Sequence, residues 1–137
     1  MSTYVDTSVI VSFFIQDDHA LKARAWAASG ARIVLSDWTR TEFTSALSHQ
    51  VRLGALTEPE REAAEGVFDR WVSRMVVLEV ERERFEDARR LMRAHRRLRA
   101  PDALHLAIAV SSGLALATAD QDMKAAARLE GLAVVDL

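Results

Sequence analysis

Short apolar runs of strand length recur along the chain, and none of them alternates strictly between apolar and polar residues. Continuous apolar runs are typical of strands that are covered on both faces, as in a parallel sheet. The runs predict five strands, at residues 3–5, 32–35, 75–80, 114–118 and 132–136. Because helical signals fill the intervals between them, the pattern predicts an α/β domain with a parallel sheet.

Candidate helices begin at capping residues or follow apolar periodicity. They cover residues 8–14, 18–29, 37–53, 57–74, 81–97 and 101–112. Asp17 or Asp18 is the candidate cap of the second of these helices, and Asp37 is the candidate cap of the third. The segment from Thr57 to Glu60 has capping-box spacing, with a proline in the first turn. The two helices between the second and third strands are long enough to form a protruding hairpin.

Length and composition limit the class of protein. The chain has 137 residues, 50% of them hydrophobic and 28% charged, which fits a single domain over residues 1–137. It contains no cysteine, which excludes a disulfide scaffold, a zinc ribbon, an iron–sulfur site and cysteine catalysis. No secretory leader and no apolar segment of membrane length is evident, so we expect a soluble cytoplasmic protein with no membrane partner.

Four acidic residues stand in mostly apolar surroundings: Asp6, Glu42, Asp102 and Asp120. If the strand order is 3-2-1-4-5, Asp6 and Asp120 follow neighbouring strands and face one crevice, where the order reverses. Each carboxylate alone can also be explained as a helix cap, a turn former or a complement to a helix dipole. Together they would repel one another, raise one another's pKa and need a cation. All-oxygen ligation favours Mg²⁺ or Mn²⁺ over zinc.

The segments that carry these carboxylates resemble the motifs of PIN-domain nucleases. The matching segments are Tyr4-Val5-Asp6-Thr7-Ser8, Arg40-Thr41-Glu42-Phe43, Pro101-Asp102-Ala103-Leu104-His105-Leu106-Ala107 and Thr118-Ala119-Asp120. They follow the family's order from end to end, and the chain's size is similar to that of the VapC-like toxins of bacterial type II toxin–antitoxin systems. The resemblance implies a three-layer α/β/α domain, a Mg²⁺- or Mn²⁺-dependent endoribonuclease, a homodimer and a partner antitoxin.

The same resemblance implies roles for individual residues. The four carboxylates would form the catalytic and metal-binding site, and Ser8 and Thr118 would hydrogen-bond the cluster or a metal-bound water. Asp122 stands where some relatives carry a further carboxylate, but it could equally cap the following helix. His105 lies three residues after Asp102 and could approach the site, yet we interpret it as an ordinary residue of its helix rather than a ligand.

Basic residues are concentrated in one stretch, although the net charge is −2. Six arginines lie between Arg89 and Arg99, and this run ends three residues before Asp102. The candidates for contact with RNA phosphates are Arg93, Arg96, Arg97 and Arg99. The alternatives are a solvated helix face that pairs with Glu83 and Glu86, or a docking surface for an acidic antitoxin segment.

The sequence therefore predicts a metal-dependent endoribonuclease that acts as the toxin of a type II toxin–antitoxin system. The alternatives are a PIN-like domain that only binds RNA or protein, and a housekeeping ribonuclease without a toxin role. A phosphoacceptor receiver domain has a similar size, but it needs an aspartate after the third strand, where this chain has Glu81. The identity of the RNA and the number of metal ions stay open, because no base-reading element is identifiable.

Overall fold

The protein is described by a computed structural model that covers residues 2–15 and 18–137. Within these residues, five strands pair in parallel in the order β3-β2-β1-β4-β5. The strands are β1 (Ser2–Val5), β2 (Arg32–Ser36), β3 (Val76–Leu78), β4 (Ala115–Thr118) and β5 (Val134–Asp136). The predicted parallel sheet and its strand order are confirmed, and β3 and β5 are shorter than their apolar runs.

The described residues form seven helices around this sheet. The helices are α1 (Thr7–Phe14), α2 (Ala20–Ala28), α3 (Asp37–Arg52), α4 (Glu58–Val72), α5 (Arg82–Ala94), α6 (Ala100–Ser112) and α7 (Gln121–Leu129). The capping box at the start of α4 is confirmed, since Thr57 and Glu60 each accept a hydrogen bond from the other's backbone N–H at 3.2 Å. The predicted cap of α3 is wrong by one residue: Ser36 caps the helix, and Asp37 is its first residue. None of the described helices is long and apolar enough to cross a membrane.

Two other predicted helix boundaries differ from the structure. Asp18 does not cap α2, which has no side-chain cap, and Asp17 lies outside the described residues. α5 ends at Ala94, although its periodicity predicts a helix to residue 97. His95 turns the chain into an extended conformation (φ −126°, ψ 96°), and Leu98 beyond the turn is only 6% exposed. The helix therefore ends where the chain turns to bury Leu98 in the core.

Helices cover both faces of the sheet, which gives the three-layer α/β/α arrangement. Successive strand residues point to opposite faces. Tyr4 and Leu116 accordingly lie in one core, with α5, α6 and α7, whereas Val5 and Ala117 lie in the other, with α1 to α4. Both faces of the central strands are buried, which explains why their sequences are continuously apolar.

The fold brings the ends of β1 and β4 side by side. Val5, the last residue of β1, pairs with Ala117 in β4. Since parallel strands end at the same edge of the sheet, the residues that follow β1 and β4 meet at the point where the strand order reverses. α3 and α6 begin near the same edge, because Trp38 Nε1 donates to the Pro101 carbonyl at 3.3 Å.

Candidate active site

Asp6 lies between β1 and α1, and its carboxylate is enclosed by donors. Oδ1 accepts from the Ser8 hydroxyl at 2.6 Å and from the Val9 backbone N–H at 3.2 Å, so that it caps α1. Oδ2 accepts from the Thr118 hydroxyl at 2.5 Å. Asp6 is only 2% exposed. Burial raises the pKa of this carboxyl, although the nearby His105 and these three donors oppose the shift.

Thr118 joins Asp6 to the start of α7. Its hydroxyl donates to Asp6 and also accepts from the Asp120 backbone N–H at 3.1 Å. Asp120 in turn caps α7, because its Oδ1 accepts from the Met123 N–H at 2.7 Å. One buried hydroxyl therefore links the Asp6 carboxylate to the backbone of Asp120.

Glu42 reaches the same edge from α3 and meets a buried histidine. Glu42 Oε1 accepts from the Thr7 hydroxyl at 2.8 Å and contacts His105 Nε2. His105 Nδ1 lies 2.7 Å from the Tyr4 hydroxyl, which is 2.8 Å from the Ser36 hydroxyl. Tyr4 also has a raised pKa, chiefly because it is buried. The edge thus contains a polar network as well as carboxylates.

His105 changes the electrostatics of Glu42. Partial burial alone would raise the pKa of Glu42, but the hydrogen bond and charge of His105, together with the Thr7 hydroxyl, lower it instead. The expectation that all four carboxylates have raised pKa values is therefore wrong for Glu42. Interpreting His105 as an ordinary helix residue overlooks this contact. The available signal was a histidine within the apolar segment 103–110 of α6, because a buried imidazole needs hydrogen-bond partners.

Asp102 faces the cluster from the first turn of α6. Burial raises its pKa, and the nearby charges of Asp120 and Asp6 raise it further, against the effects of Arg99 and His105. Among the described residues, the cation within ion-pair range of Asp102 is Arg99, with Nε 3.9 Å from Oδ2 and a side chain that is 82% exposed. Asp6, Asp102 and Asp120 therefore share a negative environment that the protein neutralises only weakly.

The site has the oxygen ligands that a divalent cation prefers, but their arrangement does not enclose a position for one. Carboxylate oxygens suit Mg²⁺ and Mn²⁺. Over residues 2–15 and 18–137, however, no three His, Asp or Glu side chains are grouped closely enough to hold a metal ion. Thr7 and His105 occupy only Oε1 of Glu42, whereas both oxygens of Asp6 accept hydrogen bonds. Binding a cation at Glu42 Oε2 would therefore require the aspartate side chains of this edge to move towards it.

Comparison with known protein families identifies the family of the chain. A family model described as the PIN domain matches residues 3–129. The chain belongs to the PIN-domain family. A search of curated proteins finds no match.

Solved structures resemble this PIN domain over almost its whole length. VapC20 of Mycobacterium tuberculosis, described as a sarcin–ricin-loop-cleaving toxin, is 23% identical with a TM-score of 0.73, over 91% of this chain and 95% of that one. DNA-bound VapBC of Salmonella typhimurium is 17% identical with a TM-score of 0.70, over 99% and 98%. VapBC-5 of M. tuberculosis is 25% identical with a TM-score of 0.66, over 99% and 98%. These similarities show the fold.

An open cleft of about 780 Å³ leads to the acidic edge of the PIN domain. Its acidic end is lined by Thr7, Ser8 and Glu42, and the residues that line it also include the basic side chains His49, Arg52 and Arg99. His49 and Arg52 lie in the last turn of α3 and are exposed. Sequence reasoning did not select them, because their proximity to Arg99 depends on how the helices pack.

The arginines of the predicted run do not share one face of a helix. Three of them, Arg89, Arg90 and Arg93, lie in α5, and the other three follow its end. Arg97 Nη1 is 3.6 Å from the Asp122 carboxylate, which lies in the first turn of α7 and does not cap that helix. Arg89 pairs with Glu86 at 3.2 Å, as the solvated-face alternative expects. The run therefore divides into three arginines on α5 and three exposed arginines beyond it, of which Arg99 lines the cleft.

Proposed function

We propose that this PIN domain is a divalent-metal-dependent endoribonuclease that acts in the cytoplasm as the toxin of a type II toxin–antitoxin system. The observation that carries the proposal is the proximity of Asp6, Asp102 and Asp120 at the edge to which the cleft leads: burial raises the pKa of Asp102, and the charges of Asp120 and Asp6 raise it further. Uncompensated carboxylates of this kind call for a cation. In the proposal, Mg²⁺ or Mn²⁺ is held by these three residues and Glu42.

These four carboxylates fit the chemical requirements of phosphodiester hydrolysis. A divalent ion on carboxylates activates a water, stabilises the leaving oxygen and neutralises phosphate charge. The chain's own side chains orient the carboxylates: Ser8 and Thr118 hold Asp6, and Thr7 and His105 hold Glu42. Such partners keep ligating side chains in fixed orientations and support their affinity for a metal.

The substrate in this proposal is RNA that enters along the basic side of the cleft. Arg99 lines the cleft, and Arg93, Arg96 and Arg97 are exposed, so that in this proposal they supply the outer phosphate contacts. Phosphate contacts by such side chains would offset the repulsion between RNA and the acidic edge. We leave Asp122 outside the proposed metal site, because its half-exposed carboxylate pairs with Arg97.

The toxin role includes an antitoxin partner and a homodimer. The similar VapBC-5 structure of M. tuberculosis is described as a member of a family of toxin–antitoxin systems, which supports a partner of the same kind here. The alternatives are a housekeeping ribonuclease and a PIN-like domain that only binds RNA or protein, which would have no use for four carboxylates at one edge. Co-purification of an antitoxin with an otherwise active nuclease separates the toxin from the housekeeping enzyme.

Cleavage of total RNA in Mn²⁺ and in EDTA tests the nuclease proposal. We expect cleavage in Mn²⁺, none in EDTA, and a loss of several orders of magnitude in Asp6→Asn. Asp6→Asn should fold, because the remaining oxygen can keep the Ser8 and Val9 donors and the amide can donate to Thr118. Undiminished cleavage in EDTA, or full activity in a folded Asp6→Asn variant, contradicts the proposal.

A further inference from the structure

A continuous chain of hydrogen bonds runs through the interior behind Glu42. It starts at the Ser36 hydroxyl, passes through the Tyr4 hydroxyl at 2.8 Å and continues to His105 Nδ1 at 2.7 Å. His105 Nε2 then contacts Glu42 Oε1. Ser36, Tyr4 and His105 are each at most 1% exposed. Residues from β2, β1 and α6 therefore converge on a single carboxylate of α3.

The carboxylate at the end of this chain fixes the direction of the last hydrogen bond. A carboxylate oxygen only accepts, so His105 Nε2 donates to Glu42 Oε1. The Tyr4 hydroxyl bonds to His105 Nδ1 whether or not Nδ1 carries a proton, because a hydroxyl can either donate or accept. The Ser36 and Tyr4 hydroxyls share the next hydrogen bond in the same way. Each buried polar atom of the chain has a partner, so the ring of His105 has one favoured orientation.

The orientation of His105 determines which face of Glu42 is left for a ligand. His105 and Thr7 both approach Oε1, and none of the described residues donates to Oε2. A glutamate on a helix has several accessible rotamers, and two donors on one oxygen favour the rotamer in which both are satisfied. Glu42 is thereby turned with one oxygen against the protein and the other available towards the cleft that it lines.

We propose that His105 is a positioning residue, which holds Glu42 Oε1 against the protein so that Oε2 is presented to a cation or substrate in the cleft. This inference rests on the proposed function, because it assigns Glu42 to the site that cleaves RNA. His105 itself does not contact the reacting atoms. It acts through its hydrogen bond to Glu42, and Tyr4 and Ser36 act through His105.

The chain contains a second histidine–glutamate pair that serves as a matched control. His95 Nε2 is 3.0 Å from Glu130 Oε1, where α5 and α7 end. Glu130 also lies 3.6 Å from Arg90, and it follows the end of α7 opposite to Asp120. This pair has the same chemistry as His105 and Glu42, but it lies away from the acidic edge.

Substituting asparagine or glutamine for His105 tests separately the hydrogen bonds that Nδ1 and Nε2 make with Tyr4 and Glu42. A glutamine amide can place its nitrogen near the Nε2 position and donate to Glu42, whereas the shorter asparagine reaches only towards Tyr4. We expect His105→Asn to lower kcat for RNA cleavage in Mn²⁺ about 10- to 100-fold, the usual cost of removing a ligand's hydrogen-bond partner. His105→Gln should retain most of kcat, and His95→Asn should leave kcat unchanged.

Combination with Glu42→Gln separates positioning from a general loss of stability. If His105 acts through Glu42, His105→Asn should cause little further loss of kcat once Glu42 has been replaced, because contacting residues of one network are not additive. A purely structural role for His105 predicts the same fold-loss in both backgrounds. Additive losses would therefore overturn the inference.

The rise in melting temperature that Mn²⁺ produces is a second readout, which needs no RNA. It should shrink in His105→Asn and persist in His105→Gln and His95→Asn, because a ligand stabilises the folded state in proportion to its affinity. An unchanged Mn²⁺ effect in His105→Asn, with unchanged kcat, overturns the inference. A wild-type protein that fails to cleave RNA overturns the proposed function instead, and the Mn²⁺ melts still decide the role of His105.

Discussion

Two groups of carboxylates at the acidic edge differ in their partners. In the oriented group, Asp6 and Glu42 accept hydrogen bonds from hydroxyl, amide and imidazole groups of the chain itself. In the uncompensated group, Asp102 accepts none from the described residues, and its neighbours include the negative charges of Asp6 and Asp120. A binding site for an external cation needs both fixed orientation and uncompensated negative charge, so the difference between the two groups is informative about function.

The largest expected effect is on catalysis, and it tests the uncompensated carboxylate, Asp102. Asp102→Asn should lower RNA cleavage in Mn²⁺ by more than about 100-fold, beyond the range typical for residues that only support a ligand. Asp87→Asn is the matched control, because Asp87 also pairs with an arginine three residues earlier, Arg84, at 3.3 Å. Cleavage rates of the two purified variants give the measurement. Equal activity in Asp102→Asn and Asp87→Asn would remove Asp102 from the site.

The next effect is on stability, and it tests the hydrogen bonds that orient Asp6. Thr118→Val keeps the shape of a fully buried residue but leaves Asp6 Oδ2 and the Asp120 N–H without their shared partner. We expect the free energy of unfolding to fall by about 1–3 kcal/mol, the cost of leaving a buried polar group unsatisfied. Thr41→Val, on the exposed surface of α3, should change it by less than about 0.5 kcal/mol. Denaturant unfolding of both variants provides the comparison, and equal losses would contradict it.

A smaller effect is expected on RNA binding. If Arg99 contacts a phosphate from its place in the cleft, Arg99→Gln should reduce the slope of log affinity against log salt by about 0.7 for single-stranded RNA. Arg89→Gln is the control, because Arg89 pairs with Glu86 on the solvated surface of α5. Binding is measured in EDTA over a range of salt concentrations. A slope that is unchanged in Arg99→Gln places the phosphate contacts elsewhere.

The smallest effect is on the pH dependence of the metal-free protein. The raised pKa of Asp102 means that the folded state holds a proton more tightly than the unfolded state does. The contribution of this group to stability is therefore lost as pH rises from the unfolded value of about 4 through the folded value. In EDTA at neutral pH, Asp102→Asn should be slightly more stable than the wild type, and the difference should vanish at acid pH. Melting curves across pH check the sign.

The pH dependence of stability that Glu42 contributes is expected to be opposite to that of Asp102, which sharpens the comparison of the two groups. Its pKa is lowered, so its contribution to stability is present above the unfolded value and is lost as pH falls through the folded value. Glu42→Gln should therefore be less stable than the wild type at neutral pH in EDTA. If Glu42→Gln is more stable than the wild type at neutral pH, His105 does not compensate the charge of Glu42.

Local sequence was sufficient to predict most of the fold. Continuous apolar runs alternating with helical segments specify a parallel sheet, because both faces of β1 and β4 have to be buried. The capping box at Thr57 also needs only neighbouring residues. The end of α5 could not be predicted in this way, since the periodicity continues past His95 and the turn depends on burying Leu98 in a core formed by distant residues.

The candidate site was predictable in part. Asp6 and Asp120 follow neighbouring strands, so their proximity follows from the topology. His105 meets Tyr4 and Thr7 across separations of 101 and 98 residues, which no local pattern encodes. The lowered pKa of Glu42 depends on its contact with His105. A prediction based only on repulsion among the carboxylates therefore gave the wrong direction for the pKa shift of Glu42.

The central claim is that Asp102 belongs to a shared carboxylate site that binds a cation, and Mn²⁺-dependent melting tests it most directly. The melting temperatures of the wild type, Asp102→Asn and Asp87→Asn are compared in EDTA and in Mn²⁺. The account predicts that Mn²⁺ stabilises the wild type and Asp87→Asn, and that Asp102→Asn loses most of this gain. An equal rise in all three proteins, or no rise in the wild type at millimolar Mn²⁺, would contradict it.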